Sequence, residues 1–226
     1  MTERKIKALI FDMDGVLINT EPMHYRMWKK TFEQHGVEIE YDIYKACIGT
    51  THEFLMDLIR DNYGADFRGN SSIKKEAMAI KKQMISEEGF PKIQGVPEML
   101  KAFYDAGYLL AIASSSPVDY IELAMKYLGV KDYFTVINSG EYVAHSKPAP
   151  DIYLNTAQKL GVKPEQCVVL EDSTNGCISA TSAGMLCVGF LNPDSGTQDL
   201  SRACKVITDM SQYTDELVCS LEKKYL

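Results

Sequence analysis

The stretch Ala8-Leu9-Ile10-Phe11-Asp12-Met13-Asp14-Gly15 decides how the rest of the chain is read. Four consecutive apolar residues predict a strand covered on both faces, as in a parallel sheet flanked by helices. Two aspartates one residue apart follow it. In an extended backbone residues i and i+2 point to the same side, so Asp12 and Asp14 would leave the strand's carboxyl end as a facing pair, where open parallel sheets bind ligands. The same letters also suit two solvated loop aspartates before a turn glycine. A calcium loop fits less well, because neither a third oxygen ligand nor a terminal glutamate follows at the required spacing.

Further apolar runs at 109–113, 135–137, 167–170 and 186–190, with a last short one at 206–207, predict more strands. Helix-length segments lie between them. Val96, Met99, Leu100 and Phe103 repeat at i, i+3, i+4 and i+7, and Val118, Ile121, Met125 and Leu128 mark a second apolar stripe. Gly107, Gly129, Gly161 and Gly184 close the periodic stretches, where a left-handed cap meets no side-chain clash. Strands alternating with capped helices define an α/β class, a Rossmann-like three-layer core with a mostly parallel sheet.

The stretch 18–90 interrupts that alternation and predicts a small helical insertion. Thr20 can cap a first helix, with Pro22 in its opening turn and Tyr25, Trp28 and Phe32 on one stripe. Phe54, Leu55, Leu58 and Ile59 mark a second helix, and Ile73, Ala77, Ile80 and Met84 a third. The expected organisation is a core from 1–17 and 91–226 with an α-helical cap at 18–90. About 70 residues would form the cap and roughly 150 the core, a common domain size.

The length of 226 residues, with 46% hydrophobic and 24% charged, is ordinary globular composition. A net charge of −7 argues against non-specific binding to nucleic acid or anionic lipid, while leaving room for a small phosphorylated ligand at a local site. Cys47, Cys167, Cys177, Cys187, Cys204 and Cys219 contain no C-x-x-C pair and read as free thiols. The N-terminal run goes straight into a short strand, and no apolar run approaches the roughly 20 residues of a membrane helix. A reducing cytoplasm is the expected compartment. Nothing in the sequence points to a protein partner.

Three later segments also sit where strands pass into helices. Ser114-Ser115-Ser116-Pro117 places hydroxyls and amides at a helix start, an anion site or simply Ser116 as N-cap with Pro117 at the first helical position. Ser146-Lys147-Pro148-Ala149-Pro150-Asp151 places a lysine in a loop stiffened by prolines, ahead of a helix that Asp151 can cap. Taken alone, that lysine could be a solvated charge. Glu171-Asp172-Ser173-Thr174-Asn175-Gly176 follows a wholly apolar run, where carboxylates need a cation partner or serve a helix dipole.

D-x-D-G, a serine after an apolar strand, S-K-P-x-P and E-D-S-x-x-G, in that order, resemble the haloacid dehalogenase superfamily of phosphoryl-transfer enzymes. The resemblance spans nearly the whole chain and is strongest to the branch of β-phosphoglucomutase and small sugar-phosphate phosphatases, whose cap entry is similar to Thr20-Glu21-Pro22-Met23-His24 with Trp28. It implies Asp12 as nucleophile and Asp14 as general acid and then base. It also implies Ser114 and Lys147 as catalytic phosphate-gripping residues, with Ser115 and the cap residue His24 on the substrate. Mg²⁺ would be held by Asp12, the Asp14 carbonyl and Asp172, with Glu171 in the outer sphere. The implied substrate is a small phosphorylated metabolite, and hinges near Ile18 and Phe90 would let the cap exclude water.

Departures from the mutases lie where a bisphosphate would be gripped a second time. The mutases of this branch carry a cap lysine before a glycine and an arginine shortly after it. This chain has Ile48 and His52 around Gly49, and Pro117-Val118 where those enzymes carry an amide residue beyond the motif serine. Neither Ile nor Val replaces a charged or bidentate donor. A Mg²⁺-dependent phosphomonoesterase is therefore expected, with β-phosphoglucomutase as the alternative. A dehalogenase has no use for an acid at Asp14. A phosphonate hydrolase would need a depressed-pKa lysine, for which Lys29, Lys30 and Lys45 offer no buried candidate. Retention of all the motif residues speaks against a non-catalytic phosphate-binding protein.

Overall fold

A computed structural model describes residues 4–48 and 50–226; Gly49 and the first three residues of the N-terminal run lie outside the described residues. In chain order the elements are β1 (Ala8–Phe11), α1 (Glu21–Glu33), α2 (Tyr41–Tyr44), α3 (His52–Tyr63), α4 (Ser71–Glu88), α5 (Val96–Asp105), β2 (Leu109–Ser114) and α6 (Val118–Leu128). There follow β3 (Phe134–Ser139), α7 (Asp151–Leu160), β4 (Cys167–Glu171), α8 (Thr174–Ser182), β5 (Leu186–Phe190), β6 (Lys205–Ile207) and α9 (Asp215–Tyr225). They form two compact units. One runs through Ile18 and continues as 92–192 and 198–226; the other comprises 19–91 with 193–197.

The first unit is built on a six-stranded sheet in the order β3-β2-β1-β4-β5-β6, parallel throughout. After β3 the chain returns to the far side of β1 to lay down β4. The order therefore reverses beside β1, and the carboxyl ends of β1 and β4 form the switch point where such sheets bind ligands. One core cluster joins Ala8, Ile10, Ala111, Ala113 and Val169 of the sheet to Tyr153, Ala157, Cys177 and Ala180 of α7 and α8. The alanines let both helices lie close to the strands, and Tyr153 is the largest side chain in that cluster. Elsewhere in this unit Phe11 meets Tyr213 edge-on at 6.2 Å, and Tyr213 meets Phe103 at 4.9 Å.

β1 and β5 have the bounds of their apolar runs, while the other four strands are longer. The run 109–113 extends through Ser114, 135–137 becomes Phe134–Ser139, and 206–207 gains Lys205. α9 is absent from the sequence reading: it buries only Val218 and Leu221 and is charged at both ends; Thr214 caps it by accepting from the Leu217 amide at 3.3 Å. Gly129 and Gly161 are the expected left-handed caps of α6 and α7.

The second unit is helical, with one element more than expected. α2 is a single turn, followed by a 3-10 turn at Lys45–Cys47, too short for its periodicity to register in the sequence. Thr20 precedes α1, but its side chain makes no capping hydrogen bond there. The expected stripe of α1, Tyr25, Trp28 and Phe32, packs into one cluster with Leu55, Ile59 and Ile73, and α1 has a second apolar face, Met23 and Met27, against Ala77 and Met84 of α4. Trp28 stacks on Phe32 and on His52, both at 5.4 Å. In the 193–197 segment Asp194 accepts from the Asn19 side-chain amide at 2.6 Å, and Gly196 lies against Ile48. All six cysteines are thiols, and no described helix is long and apolar enough to cross a membrane.

Candidate active site

Pairing between β1 and β4 continues one residue past β1, where the Asp12 amide donates to the Leu170 carbonyl at 3.0 Å. Met13, Val16, Leu17 and Ile18 are fully buried beyond it, so apolar packing fixes the loop that carries the acidic pair. Gly15 turns the chain at φ 84°, and its carbonyl accepts from the Asn192 side chain at 2.9 Å. Asp12 is only 8% exposed, which replaces the solvated-loop reading of D-x-D-G with a buried carboxylate.

Lys147 reaches this carboxylate from the loop between β3 and α7, next to a cis peptide to Pro148. Its ammonium has three N–H donors, and each has an acceptor: Asp12 Oδ1 at 2.5 Å, the Ala113 carbonyl at 3.1 Å and Glu171 Oε1 at 2.7 Å. These belong to the ends of β1, β2 and β4, which are adjacent in the sheet. The lysine is thus buried and saturated, and not a solvated charge.

Glu171 is fully buried and spends both oxygens within the protein. Oε1 accepts from Lys147 and from the Tyr153 hydroxyl at 2.9 Å. Oε2 accepts from the Asp172 amide at 3.0 Å, the Ser173 amide at 3.1 Å and the Ser173 hydroxyl at 2.9 Å. Gly176, one turn into α8, makes room for it: a Cβ there would overlap the Glu171 carboxyl group.

Two carboxylates facing one ammonium leave this cluster with excess negative charge. Burial pushes the Asp12 carboxyl up to about 7 in spite of the neighbouring Lys147, and the charges of Glu171 and Asp14 push the same way. Burial also opposes the charge on Glu171, but Lys147 and the Ser173 amide outweigh it and hold that carboxyl below its ordinary value. On Lys147 burial is likewise outweighed, by Asp12 and Glu171, and the ammonium is held above its ordinary range.

The serine run behaves differently from a plain helix cap. Ser114 closes β2, is 1% exposed, and accepts the Ser116 amide on its hydroxyl at 3.1 Å. Ser115 is exposed. Ser116, read from sequence as an N-cap, instead donates its hydroxyl to Asp14 Oδ2 at 2.8 Å. Pro117 takes the cap position, and the first amide of α6, at Val118, is satisfied by Glu141 at 3.0 Å.

Asp172 is 7% exposed at the end of β4, so besides the saturated Glu171 two more buried carboxylates, Asp12 and Asp172, stand at the ends of neighbouring strands. Among the described residues no group of three acidic, His or Cys side chains is placed to hold a metal. With the Asp14 backbone carbonyl, as the resemblance implies, Asp12 and Asp172 would make a sparse set of hard oxygen donors. That suits a divalent cation which keeps several waters and offsets the excess charge around Asp12.

His24 lies in the second unit, on α1. Its Nε2 lies 2.9 Å from Nζ of the buried Lys81 and its Nδ1 3.5 Å from Glu21. The first unit therefore brings together Asp12, Asp14, Ser114, Lys147, Glu171 and Asp172 from the sequence reading. It adds Ser116, Tyr153 and Gly176. Ser116 was open to a different reading within its run, and Gly176 stood in the motif without a role. Tyr153 carried one visible signal, a phenol at a position that otherwise reads as helix core.

A parallel sheet whose switch point gathers the carboxylates of Asp12, Asp14, Glu171 and Asp172, a lysine ammonium and a serine turn suits a hydrolytic enzyme of the phosphate-ester kind, and the comparisons with known proteins point to the same class. The chain belongs to the haloacid dehalogenase-like hydrolase family, whose pattern matches residues 9–190. It is 36% identical to the Bacillus subtilis protein YhcW over 193 residues, covering 85% of this chain and 86% of that protein. It is 34% identical to hexitol phosphatase B of Escherichia coli K12 over 197 residues, covering 86% and 87% respectively. The structure of β-phosphoglucomutase from Clostridium difficile superposes with a TM-score of 0.76 at 25% identity, covering 97% of this chain and 98% of that one.

Proposed function

We propose that the protein is a Mg²⁺-dependent phosphomonoesterase acting on a small sugar or polyol phosphate through an aspartyl-phosphate on Asp12. The observation that carries this reading is the Lys147 ammonium held between Asp12 and Glu171, a fixed positive charge beside the nucleophilic oxygen. An anionic carboxylate approaching an anionic phosphate is repelled unless such charge intervenes. Mg²⁺, held by Asp12, Asp172 and the Asp14 carbonyl, would supply the rest of that charge.

In the first step an Asp12 oxygen bonds to phosphorus, the ester P–O bond breaks, and Asp14 gives its proton to the leaving alkoxide. In the second, Asp14 takes a proton from water, the water oxygen bonds to phosphorus, and the P–O bond to Asp12 breaks, releasing inorganic phosphate. Ser114, whose hydroxyl proton can be donated, and Ser115 would hold phosphate oxygens. His24 would contact the leaving portion. Ser116 orients Asp14, so Ser116→Ala is expected to lower kcat on p-nitrophenyl phosphate about tenfold, the worth of one hydrogen bond of ~1.5 kcal/mol. An unchanged kcat in steady-state assays would remove that orienting role.

Hydrolysis is favoured over mutase action by positions 48 and 52. Ile48 packs against the apolar cluster around Phe32 and offers no charge. His52 stacks on Trp28, and burial together with the charge of Lys74 lowers its ring pKa, so it is no standing cation for a second phosphate. A panel of hexose, pentose, polyol and nucleotide monophosphates should yield free phosphate with a preference for small sugar or polyol esters. With β-glucose 1-phosphate and a bisphosphate primer, net glucose 6-phosphate would overturn the hydrolase reading.

A further inference from the structure

Lys147 holds Asp12 on one side and Glu171 on the other. Once Asp12 carries a phosphoryl group its carboxylate charge is spent, and Glu171 becomes the lysine's remaining carboxylate partner in this cluster. The rigidity of Lys147 through the cycle then depends on how firmly Glu171 Oε1 is fixed. The donors to Oε2 all come from the turn that immediately follows Glu171. Besides Lys147 itself, the Tyr153 hydroxyl, from α7, donates to Glu171 from outside that turn, and it bonds the same oxygen as Lys147. The Tyr153 ring also lies 4.9 Å from the Lys147 ammonium, close enough for the face of the π system to attract it.

A phenylalanine would fill the same core volume, so packing alone does not account for a buried hydroxyl. We propose that Tyr153 is a positioning residue that locks Glu171 Oε1 and thereby holds Lys147 in place beside Asp12, before and after phosphoryl transfer. This rests on the phosphatase reading for its consequence in turnover, though not for the geometry itself.

The test is Tyr153→Phe in the full chain, which keeps the ring and its packing. On p-nitrophenyl phosphate kcat is expected to fall about tenfold with KM within about twofold, since the group acts on a residue already placed in the unliganded protein. A second readout is the ¹⁵N ammonium correlation of Lys147, assigned by its loss in Lys147→Met. It should be sharp in the wild type, where three acceptors hold the group, and broadened or absent in Tyr153→Phe. A wild-type kcat together with an unchanged Lys147 signal would overturn the proposal. A wild-type chain inactive on every ester would overturn the phosphatase reading alone, and the Lys147 signal would still decide the part of Tyr153.

Discussion

Asp12→Asn is expected to abolish turnover and covalent phosphate labelling together, with kcat down by about 10⁴-fold or more, as when an enzyme loses its covalent nucleophile. The amide is nearly isosteric, so Asp12's packing is kept while its charge and nucleophilicity go. The same exchange should leave the cation-free fold no weaker. In the wild type the Asp12 carboxyl is raised from 3.8 to about 7 by burial, so the folded state holds the proton more tightly than the unfolded chain. Stability tied to this group is therefore fully present below 3.8 and is lost as pH rises through about 7. At pH 8 in EDTA the Asn variant, with Lys147 paired to Glu171 alone, should melt at or above the wild-type temperature. Persisting phosphoenzyme on rapid acid quench would remove Asp12 from the nucleophile role, and a markedly lower melting temperature would contradict the charge argument.

Gly176→Ala should be nearly as damaging, although residue 176 need never touch substrate. The added methyl overlaps the Glu171 carboxyl group. Side-chain ends often move aside cheaply, but this one is fully buried and held by Lys147, Tyr153, the Asp172 amide and both donors of Ser173. Displacing it uncouples a buried ion pair, which costs about 3–5 kcal/mol when one partner is lost. The expected result is a urea unfolding free energy lower by about that amount, with kcat reduced at least 100-fold in the fraction that folds. Ala is ordinarily the better helix former, by about 1 kcal/mol. A variant of wild-type stability and activity would show that Glu171 has another place to go.

β1, β2, β4 and β5 are legible because each is built on a short apolar run, as buried parallel strands require, whereas β3 and β6 mix in Thr135, Asn138, Ser139 and Lys205. β1 and β4 were read to within one residue of their ends. α2 and α9 were not, since a single turn shows no period and a helix burying two residues shows hardly any stripe. Thr20 and Ser116 show a related limit. A hydroxyl before a helix reads as a cap, yet in both cases it makes no capping bond, and that of Ser116 goes to Asp14.

The inventory of chemical groups was determined by the amino-acid sequence alone: two aspartates on one strand end, a lysine among prolines, an acidic pair at the end of β4, and a serine turn. Local rules suffice for these, because each motif is contained within a few residues. What only the tertiary structure decided is how the groups are shared out. Laying β1 between β2 and β4 puts three strand ends within reach of one ammonium, joining Lys147 to Asp12 across 135 residues of chain. The same packing of α7 on the sheet brings a phenol to Glu171, while the turn into α8 sets a glycine against it. Such contacts depend on which surfaces meet, and residue spacing along the chain carries no record of that.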